Sequence, residues 1–356
     1  MKKLYLDTET YSHINLRTSG THKYAEHAEV IMWQWAVGDG DVILADGSEM
    51  PSELRALLEN PDYEIVIHHS TFDRTVIRHA NGFEIPTNRI FDTMACALAH
   101  SLPGGLGELS ELFGLDSDKA KDKEGKKLIN LFCKPQVKRG EDDFRATKET
   151  HPIEWEAFRR YGERDIIAMR EVDKLLPRWN FRDHDRKVWE LDQRINDRGM
   201  HIDLDLVHAA IRASKRAKED YAADTLEKTN GEVTSTSRRD SLLEYIEKAY
   251  GVVIEDLKSA NVKLLLQSTT LPEGVLELLT IRLEACKSSI AKYPQLLRAI
   301  SADGRLRNTL QFCGASRTGR WSGRLFQPQN LPRSSLKARE LERAIAELKC
   351  NAEGLI

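Results

Sequence analysis

The sequence predicts an α/β domain over residues 1–180, followed by a mainly helical region over 181–356. Two observations predict it. Short β-branched and aromatic runs alternate with amphipathic stretches in the first half, whereas long helical patterns dominate the second. Between them Pro177-Arg-Trp-Asn180 breaks a long helix and marks the expected boundary. A chain of 356 residues is also long for a single core, so two domains are the natural division.

The elements follow in order. Lys3–Asp7 reads as a short apolar strand, and Val30–Val37 as a buried one rich in β-branched and aromatic residues. Asp41–Ala45 follows the turn Gly38-Asp-Gly40, as in a hairpin. Pro51–Asn60 reads as a helix with Leu54, Leu57 and Leu58 on one face. Glu64–His68 and Arg89–Phe91 are further strands, separated by a helix over Phe72–Ala80. A three-strand meander followed by alternating helices and strands is the order of an RNase H-like domain. Gly104–Val137 is helical in pieces, with the charged run Lys119–Lys127 read as a solvated loop, and Lys134–Thr150 is irregular. A long helix runs from Pro152 to Leu176. Beyond the boundary, helices are expected over His184–Asp197, capped by Gly199, and over Leu204–Lys228, Arg238–Ala249 and Glu273–Ile300. In the last of these, Leu276, Leu279, Leu283, Cys286 and Ile290 form one apolar stripe, and Lys292 falls opposite it. Leu336 to Lys349 reads as an amphipathic helix with Leu341, Ile345 and Leu348 on one face.

Composition narrows the function classes. Net charge is −3, and 40% of residues are apolar against 31% charged, which describes a folded globular chain. The five cysteines are scattered without a CxxC pair and read as reduced thiols, not as a zinc or disulfide framework. Met1–Leu6 begins like a signal peptide, but Asp7 and Glu9 interrupt it, and no apolar run is long enough to span a bilayer. A soluble, cytoplasmic protein without a membrane partner is expected.

Hydrolysis of a phosphodiester by two divalent ions needs several carboxylates at one point. Asp7-Thr-Glu9 closes the first strand, where period-2 geometry puts both carboxylates on one face. Asp73 follows a buried strand in His68-His-Ser-Thr-Phe-Asp73, and Tyr161 and Asp165 stand four apart on a helix. Taken singly, these read as well as a loop start, a helix cap and a surface pair. In this order they resemble the DEDDy exonucleases. That resemblance implies Asp7, Glu9, Asp73 and Asp165 as ligands for two Mg²⁺ or Mn²⁺ ions, with Tyr161 orienting the attacking water. The family usually has Asn at the position of His69, which is read here as a structural hydrogen-bonder. Asp92 in Ile90-Phe-Asp-Thr-Met is read as a helix N-cap.

Between Arg305 and Arg339 stand eight basic residues and no acidic one, a candidate phosphate-contacting strip. Within it, Gly314-Ala-Ser-Arg-Thr-Gly-Arg-Trp-Ser-Gly-Arg-Leu-Phe-Gln-Pro-Gln-Asn-Leu-Pro332 resembles the TGR…QNLP segment of phage-type family A (DNA polymerase I-like) polymerases. Leu191–Gly199, Leu131–Pro135 and Thr150–Trp155 resemble other segments of that family. The resemblance implies a proofreading 3′→5′ exonuclease over 1–180. It implies a helical thumb and the first part of a palm over 181–356, ending before segments that resemble the polymerase's catalytic motifs. It further implies DNA contacts from Lys287, Ser288, Lys292, Arg317, Arg320, Gln327 and Asn330. Templated extension by this chain alone is not expected, and a separate palm-and-fingers polypeptide is a candidate partner. Two other readings remain open: an RNase D-like exonuclease acting on RNA, and a DNA-binding subunit whose exonuclease is silent.

Overall fold

A computed structural model describes residues 1–115, 119–136, 144–286, 292–331 and 333–350. The chain forms two compact units, Met1–Ile202 with Arg298–Asn330, and Asp203–Leu297 with Leu331–Ile356.

The first unit is built on a five-stranded sheet in the order β3-β2-β1-β4-β5. Its strands are β1 (Lys2–Tyr11), β2 (Glu29–Val37), β3 (Ile43–Asp46), β4 (Tyr63–Ile67) and β5 (Ile90–Asp92). β1 pairs antiparallel with β2 and parallel with β4, which is the meander-then-alternation arrangement expected of an RNase H-like domain. Leu4, Leu6, Trp33, Ile65 and Ile67 are buried within this sheet, and β2 is buried along nearly its whole length. Such a near-continuous apolar strand marks a sheet covered on both faces.

The flanking helices are α1 (Leu16–Ala25), α2 (Ser52–Glu59), α3 (Ser70–Asn81), α4 (Thr93–Ala99), α5 (Leu106–Leu112), α6 (Lys119–Phe132), α7 (Pro152–Leu175) and α8 (Asp183–Arg198). Four short strands complete the first unit as two ribbons. β6 (Met200–His201) pairs with β7 (Arg305–Leu306), and β8 (Leu310–Ala315) with β9 (Arg320–Gly323).

The second unit holds α9 (Leu204–Lys228), α10 (Arg239–Tyr250), α11 (Ser259–Leu265), α12 (Glu273–Ala285) and α14 (Ala338–Cys350), with most of α13 (Lys292–Ala299). Its core gathers Leu242, Ile246, Val262, Val275, Leu278 and Leu279. α14 packs against α9, and Lys349 pairs with Asp203, yet none of its residues is buried.

Several elements differ from the sequence expectation. β1 runs four residues past Asp7, because Thr8, Thr10 and Tyr11 continue the pairing with β2; the acidic pair therefore lies within a strand, not at its end. Lys119–Lys127 is helical, since a highly charged helix can solvate its charges while one face packs. Glu273–Ile300 is not described as one helix: α12 ends at Ala285, and Ile290 lies outside the described residues. The buried face of α12 is Val275, Leu278, Leu279 and Ile281, while Cys286 is exposed.

The compact units also divide later than the break at 177–180. α8 stays with the first unit because Trp189 packs into its core, while Gln193 and Asp197 accept hydrogen bonds from the fully buried Arg74 of α3.

Candidate active site

The acidic residues converge on one cavity of about 680 Å³ in the first unit. Asp7 and Glu9 are two apart on β1, so the strand presents both on one face. They pair across the sheet with Gln34 and Met32. Asp165 arrives from α7, and one oxygen each of Asp7, Glu9 and Asp165 lies within 4.8 Å of the others.

Asp73 sits in the first turn of α3 and joins the same cavity wall. Thr8 holds it there: the Thr8 N–H and Oγ1 both donate to Asp73 Oδ1, at 3.1 and 2.6 Å. Tyr161, one helical turn before Asp165, lines the same cavity, close enough for the Asp165 charge to act on its hydroxyl. The structure thus brings together the five residues singled out for catalysis.

Electrostatics set the carboxyls of this cluster against one another. Burial, then the neighbouring Asp73, pushes the Asp7 carboxyl well above its ordinary range. Burial also raises Glu9, with Asp7, Asp165 and Asp73 repelling its charge. Asp73 is raised by burial to about 7, although the Thr8 hydrogen bonds oppose the shift. Like charges this close disfavour joint ionisation unless a cation neutralises them. The donor set consists of oxygens alone, which suits hard divalent ions. Burial raises the Tyr161 hydroxyl too, with the Asp165 charge adding to it, so it stays a protonated donor. The Cys133 thiol, 3.8 Å from Glu9 Oε2, is raised by burial and remains a weak donor beside the cluster.

Two glycines make the geometry possible, and nothing local in the sequence flags them. A Cβ at Gly162 would lie 2.2 Å from Gln34 Nε2, so its absence lets α7 approach β2 beside Tyr161. A Cβ at Gly125 would lie 2.4 Å from Tyr161 Cε2, so α6 closes onto the tyrosine ring.

Asp92 caps α4 by accepting from the Ala95 N–H, and it also accepts from Ser70 N–H and Oγ and from His69 N–H. Among the described residues, His69 therefore contributes through its backbone N–H, with no hydrogen bond from its ring. Its φ of 62° is left-handed, a conformation Asn, Asp and His tolerate better than most residues, which accounts for Asn as the usual occupant.

The candidate DNA contacts are placed unevenly. Lys287 and Ser288 lie outside the described residues, and Lys292 begins α13. Arg320 is exposed on β9, Arg317 is exposed in the turn before it, and neither lines the carboxylate cavity. Gln327 accepts a hydrogen bond from Asn330 at 2.6 Å. Within the basic strip, Arg305 and Arg307 hold structure instead. They donate to the carbonyls of Asp197, Arg198 and Gly199, which the end of α8 leaves unpaired, and Arg307 also pairs with Asp303.

A five-stranded sheet with acidic residues on β1, α3 and α7 is the arrangement of an RNase H-like exonuclease domain. Residues 1–169 match the family model of the 3′–5′ exonuclease domain of the DNA polymerase A family. Over 350 residues, 95% of this chain, the sequence is 33% identical to the DNA polymerase of Bacillus phage SP02, of which it covers 52%. The polymerase domain of Pol1 from M. smegmatis, solved with primer-template and dNTP, shares the fold at 14% identity and a TM-score of 0.52. That match covers 93% of this chain and 52% of the other. The chain thus spans about half the length of the polymerases it matches. No described helix is long and apolar enough to cross a membrane.

Proposed function

We propose that this chain carries the proofreading 3′→5′ exonuclease of a phage-type family A DNA polymerase. It removes nucleoside 5′-monophosphates from single-stranded DNA 3′ ends during replication in the host cytoplasm. The observation that carries the proposal is the meeting of Asp7, Glu9 and Asp165 within 4.8 Å, with Asp73 fixed beside them by Thr8. Residues 181–356 are proposed to be the thumb and the start of the palm, and templated extension is no part of the function proposed for these residues.

In this mechanism Asp7, Glu9, Asp73 and Asp165 would hold two divalent ions, Mg²⁺ or Mn²⁺. When bound, these ions stabilise the charge on the attacking and departing oxygens. Tyr161, held protonated, orients the attacking water through its hydroxyl. Leu16, Phe72 and Ile129 give the same cavity apolar walls against which a frayed terminal nucleoside can pack. Duplex contacts are assigned to Arg317, Arg320, Gln327 and Asn330, with Lys287, Ser288 and Lys292 on the thumb. The polymerase's remaining half, or a separate palm-and-fingers chain, is the partner that would deliver mispaired ends.

Matched DNA and RNA oligonucleotides incubated with Mg²⁺, and separately with EDTA, test the assignment. Metal-dependent shortening of DNA in preference to RNA supports it. Preference for RNA would move the activity to the RNase D-like reading.

A further inference from the structure

We propose that Arg324 grips the phosphate backbone of the single strand just upstream of the bond being cut. This rests on the exonuclease reading above and adds a strand-binding residue from the distant segment that follows β9.

The cavity holding Asp7, Glu9, Asp73 and Asp165 is also lined by Gln311, Phe312, Arg324 and Leu325. These residues come from β8 and from the turn after β9, well over a hundred positions beyond the last carboxylate. Arg17 and Arg324 are the arginines of the lining. The Arg324 guanidinium makes no ion pair or hydrogen bond with any described residue, unlike the structural pairs of Arg305 and Arg307. Its charge is felt at His69, on the same cavity lining, where it disfavours protonation of the imidazole after desolvation and against the pull of Asp92.

The backbone at this point is fixed while the side chain is free to bind. Arg324 N–H donates to Thr309 O at 2.7 Å, and Arg324 O accepts from Gln327 N–H at 3.1 Å. Leu325 has a left-handed φ of 51° and packs on Gly20, where an added Cβ would lie 2.6 Å from Leu325 Cδ1. Gly20 has a φ of 79° and interrupts α1, which opens the seat. A cation anchored on the wall of a strongly anionic cavity suits a polyanion that must enter it. Phosphates beyond the scissile one are positioned by protein cations.

The test compares Arg324→Gln with wild type on two substrates. One is oligo-dT, which has upstream phosphates; the other is thymidine 5′-monophosphate p-nitrophenyl ester, which has none. We expect KM for the oligonucleotide to rise about tenfold with kcat within about twofold, and hydrolysis of the ester to be unchanged. Arg324→Lys should recover part of the loss, since a point charge still attracts phosphate. Equal loss on both substrates, or loss on neither, would overturn the proposal.

A second arm measures oligo-dT binding by fluorescence anisotropy in Ca²⁺. Affinity should fall about tenfold in Arg324→Gln, and unchanged affinity would count against Arg324. If wild type hydrolyses neither substrate, the nuclease reading fails, and the binding arm still decides the role of Arg324.

Discussion

Glu9 is buried with Asp7, Asp73 and Asp165 around it, and its charge has no described cation to answer it. A carboxyl whose folded pKa lies above its unfolded value takes up a proton on folding. Metal-free protein should therefore lose stability as pH rises from the unfolded range, about 4, through the folded value, about 7 for Asp73. Asp7→Asn removes one of the repelling charges. In EDTA at pH 8 it should raise Tm by about 2–4 °C, for roughly 1 kcal/mol. At pH 5 the gap should narrow, because Asp73, raised to about 7, is then largely protonated and no longer repels its neighbours. Mg²⁺ should raise the wild-type Tm more than that of the variant. A variant less stable than wild type at pH 8 in EDTA would show that the cluster is not strained by like charge. Tyr161→Phe keeps all four carboxylates and loses only the hydroxyl, so kcat should fall about 10–100-fold with metal affinity unchanged. Metal affinity that falls with kcat would give Tyr161 a part in holding the ions.

At the scale of elements, the site depends on how closely α7 approaches β2. Gly162→Ala should cost about 1–3 kcal/mol, because Gln34 is fully buried and cannot swing out of the way of the new methyl. Exonuclease activity should fall with it, and Gln34→Ala in the same chain should restore both by clearing the space. Activity and stability that stay at wild-type levels in Gly162→Ala would mean that the helix has room to spare. This dependence marks the limit of what was legible in the sequence. The spacings Asp7–Glu9 and Tyr161–Asp165 are local consequences of strand and helix periods, so they could be read directly. Gly125 and Gly162 matter only through what α6 and α7 meet in space, and no local pattern reports that. The two-residue strands β6 and β7 are too short to show a period. α1, kinked at Gly20 and nearly without an amphipathic pattern, gave no helical signal. The basic strip was legible as charge, but its division between structural Arg305 and Arg307 and the cavity-lining Arg324 was not.

For the whole molecule, residues 298–330 return to the unit that holds the carboxylates, so the segment resembling the polymerase's TGR motif and the nuclease cavity share one compact body. If the exposed Arg317 and Arg320 contact duplex phosphates, binding should weaken steeply with salt, and Arg317→Gln with Arg320→Gln should lower the log–log slope by about 2. An unchanged slope would leave the hairpin turn a solvated surface. The central claim is that four carboxylates on one sheet-and-helix scaffold cut single strands from the 3′ end. Its most direct test is a 5′-labelled single-stranded DNA incubated with Mg²⁺, with products sized over time for wild type and Asp165→Ala. The account predicts a ladder shortening one nucleotide at a time from the 3′ end, with release of nucleoside monophosphates. It predicts no ladder for Asp165→Ala, although the variant still binds the strand. A ladder of equal rate from Asp165→Ala, or cleavage that begins within the strand, would contradict it.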